Sequence, residues 1–157
     1  DPFPNDECIS LGVSYVDFKT LCNMADVISL HCPLTPTTQH LINHDSLKDT
    51  KAGVMLINTS RGAVIDTQAV INYLKNGHIG YLGLDVYEQE ENLFFQDLSD
   101  QNISDELFER LLTFPNVLVT GHQAFFTDQA LTNIANTTLK NIQRFEENTP
   151  SLHCCHI

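Results

Sequence analysis

Four stretches of the sequence carry side chains that could act together on a small anion. They are Cys32-Pro33-Leu34-Thr35, Asn58-Thr59-Ser60-Arg61-Gly62, Asp85-Val86-Tyr87-Glu88-Gln89-Glu90 and Gly121-His122. Arginine grips a carboxylate through a planar, two-pronged fork. Histidine titrates near neutrality and can give or take a proton. A carboxylate beside it fixes the ring tautomer and favours the charged form. Arg61, His122 and one of the carboxylates thus form a set for proton transfer on a small anionic substrate. The redox step, if there is one, is left to a cofactor. Nucleophilic catalysis fits less well, because Ser60 lacks a Gly-x-Ser-x-Gly elbow. Seven histidines without paired spacing make no metal site. Taken singly, Arg61 reads as a surface ion-pair partner, His122 as a structural histidine and Glu90 as a solvated charge. Their shared position in the fold is what favours the chemical reading. His31, His40, His44 and His78 have no such partners and read as structural or surface residues.

That position follows from the elements around them. Asp17 is a candidate N-cap for a helix with Phe18, Leu21, Cys22 and Ala25 at helical spacing. Residues 27–32 read as a buried strand, and 33–38 as a loop by its prolines and hydroxyls. A short helix is expected near 45–49 and a second strand at 54–58. Asp66 caps a helix that stops at Asn76-Gly77. Residues 79–86 give a third strand, and residues 89–106 an acidic surface insertion. A short helix at 105–112 and a fourth strand at 116–120 follow. Thr127 caps a last helix with Ala130, Leu131, Ile134, Leu139, Ile142 and Phe145 near one face. Strands and helices alternate, and the strands are continuous apolar runs. Both features predict an α/β fold, a doubly wound parallel sheet covered on both faces. Ligands of such sheets bind at the carboxyl ends of the strands, where all four stretches lie.

The chain has 157 residues and 8 Lys+Arg against 20 Asp+Glu, a net charge of −12. So few cations argue against nucleic acid and against a polybasic membrane contact. No apolar run approaches the roughly 18 residues of a membrane span. The start, Asp1-Pro2-Phe3-Pro4, is not a basic-then-apolar leader, and no signal peptide is expected. Five cysteines, an odd number without framework spacing, suggest a reducing compartment, hence the cytoplasm. Cys154 and Cys155, between His153 and His156, read as part of a frayed tail rather than a zinc site.

Four motifs in one order carry a resemblance to a known family. They are Leu30-His31-Cys32-Pro33-Leu34-Thr35-Pro36, Asn58-Thr59-Ser60-Arg61-Gly62, Leu84-Asp85-Val86-Tyr87-Glu88-Gln89-Glu90 and Thr120-Gly121-His122-Gln123-Ala124-Phe125. The chain resembles the D-isomer-specific 2-hydroxyacid dehydrogenases, and among them the fermentative D-lactate dehydrogenases, from residue 1 to about 148. The resemblance implies a Rossmann-type domain and NAD as cofactor. It implies that Arg61, Glu90 and His122 are catalytic. Arg61 would hold the substrate carboxylate and polarise its keto oxygen. His122 would act as acid and base, paired with Glu90 rather than Glu88. Asp1 would bond the adenosine ribose, Cys32 and Pro33 would flank the adenine, and Thr38 takes a polar position nearby. Thr59, Ser60, Arg61 and Asp85 would line the nicotinamide end. Phe125 would wall a small substrate pocket.

The family's Gly-x-Gly-x-x-Gly loop, which grips pyrophosphate at a helix N-terminus, is not in this sequence. The expected organisation is therefore an N-terminally truncated domain. Residues 1–126 form an incomplete NAD-binding domain, residues 127–148 a helix leading back toward an absent substrate domain, and residues 149–157 a tail. The start without Met fits such a truncated chain. The expected activity is reversible reduction of pyruvate to D-lactate by hydride from NADH, by a homodimer when full length. The alternatives are another 2-keto acid (glyoxylate, hydroxypyruvate or a branched acid) or a non-catalytic, corepressor-like NAD-binding scaffold. The 157 residues alone are expected to be inactive.

Overall fold

The computed structural model describes residues 3–90 and 105–147. Asp1, most of the acidic insertion and the Cys154-Cys155 tail lie outside the described residues. The chain divides into two units, residues 1–122 and 123–157.

The first unit holds a four-stranded parallel sheet in the order β1-β2-β3-β4. The strands are β1 (Val27–Leu30), β2 (Val54–Asn58), β3 (Ile79–Leu84) and β4 (Val117–Val119). Among the described residues, five helices accompany them: α1 (Asp6–Ser10), α2 (Phe18–Met24), α3 (His44–Lys48), α4 (Thr67–Lys75) and α5 (Glu106–Leu112). A 3-10 turn, Gly62–Val64, follows β2.

Side-chain caps set most of the helix starts. Asp17 accepts from the Thr20 N–H and the Thr20 hydroxyl. These bonds favour the carboxylate and hold its pKa below the ordinary value. Asp66 accepts from the Ala69 N–H, and Asp105 from the Leu107 and Phe108 N–H groups. At α3, Asn43 and Ser46 cap each other reciprocally. The exit of α4 passes through Gly77 at φ 75°, in the left-handed region that glycine enters at little cost. Helix α1, capped by Asn5, is a turn the sequence reading did not expect, and it buries nothing.

Register decides which side chains form the core. Ile28, Leu56, Leu82 and Val117 lie in one row, and Leu30, Asn58, Leu84 and Val119 in the next. These rows face the apolar sides of α4 and α5, where Val70, Ile71, Leu74, Phe108 and Leu111 are buried in one cluster. The opposite rows run through Val27, Met55 and Tyr81, and through Ser29, Ile57, Gly83 and Leu118. There Val27, Tyr81 and Leu118 are more than half exposed. The described helices of this unit therefore cover one face of this α/β, Rossmann-type parallel sheet. Connection handedness supplies the reason. Right-handed crossovers between parallel strands that advance in one direction put every helix on the same side. Only a reversal of strand order sends helices to the other side, and the order β1-β2-β3-β4 does not reverse.

The second unit contains α6 (Asp128–Glu146), with Thr127 accepting from the Ala130 N–H as its cap. Its apolar residues Ile134, Leu139, Ile142 and Phe145 are exposed.

Candidate active site

The chemistry-bearing residues emerge at the carboxyl ends of β1 to β4. Asn58, the last residue of β2, is fully buried and organises the loop that follows. Its amide donates to the Arg61 carbonyl at 3.0 Å and accepts from the Ser60 N–H at 3.0 Å. The Ser60 hydroxyl donates to the Cys32 carbonyl, which ties the ends of β1 and β2 together. Arg61 then stands exposed at the lip, one arm of its guanidinium donating to the Ser60 carbonyl at 2.8 Å.

The next residue, Gly62, packs directly on the segment after β3. A Cβ there would lie 2.0 Å from the Tyr87 carbonyl carbon and 2.4 Å from the Glu88 nitrogen. Real side chains do not approach so closely, so only glycine fits without backbone movement. This contact brings the Arg61 loop against the turn that carries Glu90. That turn closes through the Glu90 N–H to the Tyr87 carbonyl at 3.3 Å and the Tyr87 N–H to Glu90 Oε2 at 3.2 Å.

His122 comes from the end of β4. Its N–H donates to the Asp85 carbonyl at 2.7 Å. The Asp85 side chain is buried and accepts from the Thr120 hydroxyl. The backbone of His122 is at φ 54°, in the left-handed region. Its Nδ1 lies 3.1 Å from Glu90 Oε1, the two side chains being mostly buried. An ionised carboxylate can only accept, so Nδ1 carries the hydrogen and the ring presents Nε2 for proton exchange. A cleft of about 240 Å³ opens between Leu34, Arg61, Gln89 and Glu90, floored by Gly62 and Ala63. Arg61 and Glu90 thus border one cleft, and Glu90 reaches His122.

The other sequence-derived positions fall as follows. Cys32 and Pro33 line an apolar groove with Leu21, Leu30 and Leu41 beside the outer edge of β1. Thr38 closes the loop after β1, donating to the Pro33 carbonyl at 2.6 Å and accepting from the Thr35 N–H. Thr59 sits beside Ser60 at the end of β2. Phe125 lies in the second unit, edge-to-face with Phe126 at 6.2 Å. Asp1 lies outside the described residues.

Sequence reasoning missed one partnership. His40, read as a residue without a carboxylate partner, has its Nε2 2.6 Å from Glu88 Oε1. The two are 48 positions apart, and no spacing rule joins them. The hint was the doublet Glu88-x-Glu90, where one glutamate was left without a role. Among the described residues, no group of three or more His, Cys, Asp or Glu side chains could hold a metal ion. No described helix is long and apolar enough to cross a membrane.

Residues 1–124 match the D-isomer specific 2-hydroxyacid dehydrogenase, NAD binding domain, and the chain belongs to that family. It is 55% identical over 147 residues to the D-lactate dehydrogenase of Escherichia coli K12, covering 94% of this chain and 45% of that protein. The solved structure of the pyruvate reductase of Chlamydomonas reinhardtii superposes with a TM-score of 0.91 at 45% identity, over 98% of this chain and 47% of that one. The D-lactate dehydrogenase of Lactobacillus jensenii, solved with NAD+, superposes at 0.93 with 31% identity, over 100% of this chain and 47% of that one. The chain therefore spans about half the length of the relatives it matches. NAD is the cofactor of this domain. The donor set at the strand ends suits it, since the exposed Thr59 hydroxyl and the Asp85 carboxylate are of the types that bond a ribose and a carboxamide.

Proposed function

We propose that the chain is the NAD-binding part of a D-lactate dehydrogenase that interconverts pyruvate and D-lactate. The observation that carries this reading is the His122–Glu90 pair at 3.1 Å, at the same strand ends that present Arg61. Bound NADH supplies the hydride that reaches the keto carbon. Arg61 holds the substrate carboxylate through its fork and draws electron density toward the keto oxygen. His122 delivers a proton from Nε2 to that oxygen as it becomes a hydroxyl, and takes it back in the oxidation direction. Glu90 keeps the proton on Nδ1 and stabilises the imidazolium that precedes transfer. Asp85, Asn58 and Ser60 hold the strand ends that carry these groups. The similarity to D-lactate dehydrogenases supports pyruvate as the substrate.

The test is steady-state oxidation of NADH by the full-length enzyme with pyruvate, with chiral analysis of the product. D-lactate is expected. Arg61→Gln should lower kcat/KM by on the order of 100- to 1,000-fold, because it removes the group that stabilises the developing oxyanion. L-lactate as product, or a kcat/KM for a branched acid, glyoxylate or hydroxypyruvate well above that for pyruvate, would overturn the substrate assignment. Full biological activity of Arg61→Gln would instead show that the protein acts as a scaffold.

A further inference from the structure

The turn that carries Glu90 also carries Glu88, and a second histidine–glutamate pair closes on it. Glu88 Oε1 lies 2.6 Å from His40 Nε2. Glu88 Oε2 accepts from the Thr67 hydroxyl at 2.9 Å and faces the Thr67 N–H at 3.4 Å. Both Glu88 oxygens are thus engaged, one by His40 Nε2 and the other by Thr67. Three segments meet at this carboxylate: the loop after β1 through His40, the first turn of α4 through Thr67, and the turn after β3 through Glu88 itself.

The same segments bracket the Arg61 loop. The His40 N–H donates to the Ala63 carbonyl at 2.8 Å, and the Ile42 N–H to the Val64 carbonyl at 3.1 Å. Gly62 sits directly on the Tyr87–Glu88 backbone. The stretch from Arg61 to Thr67 is therefore pinned at its start by Gly62, in its middle by His40 and at its end by Glu88. His40 has φ 48° and His122 φ 54°, the two non-glycine residues at positive φ among those described. Each is the histidine of one of the two His–Glu pairs. A non-glycine backbone persists there only where its surroundings over-determine it. At His40, those surroundings are Glu88 on the ring, Ala63 on the N–H and Asn43, whose amide donates to the His40 carbonyl at 2.9 Å.

We propose that His40, Glu88 and Thr67 are positioning residues that fix the spacing between the anion-gripping Arg61 and the proton-donating Glu90–His122 pair. Glu88 and Glu90 stand two residues apart on one turn and do different work. Glu90 reaches the histidine that exchanges protons. Glu88 anchors the turn to the loop that binds the substrate carboxylate. This inference rests on the function proposed above. A shift of about 1 Å between groups that grip one small substrate can cost on the order of 100-fold, so loosening this anchor acts chiefly on the 2-keto acid.

The experiment is steady-state kinetics of the full-length enzyme with pyruvate and NADH, on wild type, Glu88→Gln and Thr67→Val. Gln has one acceptor oxygen where Glu has two, and Val removes only the hydroxyl. Both variants are expected to raise the KM for pyruvate, Glu88→Gln by about tenfold or more, with smaller changes in kcat and in the KM for NADH. Thermal melting run alongside separates positioning from folding. If both variants melt lower or lose kcat while the KM for pyruvate stays at the wild-type value, the residues are structural and the inference is overturned. Where Glu88→Gln fails to fold, Thr67→Val decides by the same criterion. A wild-type enzyme that does not turn over D-2-hydroxy acids overturns the function itself, and the positioning role with it.

Discussion

Glu90 and His122 are separated by 32 positions and meet at 3.1 Å, so their chemistry is a property of one contact. In the proposed mechanism Arg61 acts on the substrate directly, whereas Glu90 acts only through the ring it orients. Removing His122 should therefore abolish whatever Glu90 contributes. We expect His122→Asn to lower kcat by on the order of 100- to 10,000-fold, the usual worth of a positioned acid–base group. Glu90→Gln should cost less, and the double variant no more than His122→Asn alone, because residues that act as a unit are strongly non-additive. A double-mutant cycle on kcat checks this. Additive losses would mean that Glu90 touches the substrate or the cofactor on its own.

At the scale of elements, the turn after β3 is held from both ends. Gly62 presses on Tyr87 from the β2 side, and the Tyr87 hydroxyl donates to Asp105 Oδ2 at 2.8 Å, while Asp105 Oδ1 caps α5. Burial, with the Asp105 carboxylate beside it, pushes the Tyr87 phenol well above its ordinary pKa. The sign follows from linkage. The unfolded chain gives up this proton near pH 10, and the folded one only at higher pH. The stabilisation is thus complete below about pH 10 and is lost as pH climbs toward the folded value. Tyr87→Phe deletes the bond to a charged partner and should cost about 1.5–3 kcal/mol at neutral pH. Thermal melts at neutral and strongly alkaline pH check both points: the gap between wild type and Tyr87→Phe should narrow as the pH rises.

Much of this scale was legible in the sequence. Asp17, Asp66 and Thr127 announce helix starts because a short polar side chain before an apolar-periodic run can satisfy an orphan N–H. Strand runs at 27–32, 54–58, 79–86 and 116–120 contain β1 to β4, because burial demands unbroken apolar composition there. The His40–Glu88 pair was not legible, since it depends on how three loops fold onto one another. Nor was the open sheet face. An apolar run reports that both faces of a strand leave water, but not which elements cover them.

Among the described residues, each of the two units presents an apolar surface to water. One is the sheet face with Val27, Tyr81 and Leu118; the other is the face of α6 with Ile134, Leu139, Ile142 and Phe145. Apolar side chains left in water favour association. A net charge of −12 works against association, but it acts at long range and is screened by salt. The sequence also carries no Gly-x-Gly-x-x-Gly loop, so nothing within it supplies the glycine cradle that grips a pyrophosphate in this fold class. On the proposed reading the strand ends meet the nicotinamide half of NAD, while no glycine loop in this sequence holds the phosphates. Binding half of a dinucleotide forfeits the larger, charge-assisted part of the contact. Isothermal calorimetry on the 157-residue chain should accordingly show far weaker NAD binding than the full-length protein, and sedimentation at raised salt should show self-association growing with concentration. Micromolar NAD affinity in the isolated chain would mean that the strand ends of β1 to β3 hold the cofactor without a phosphate loop.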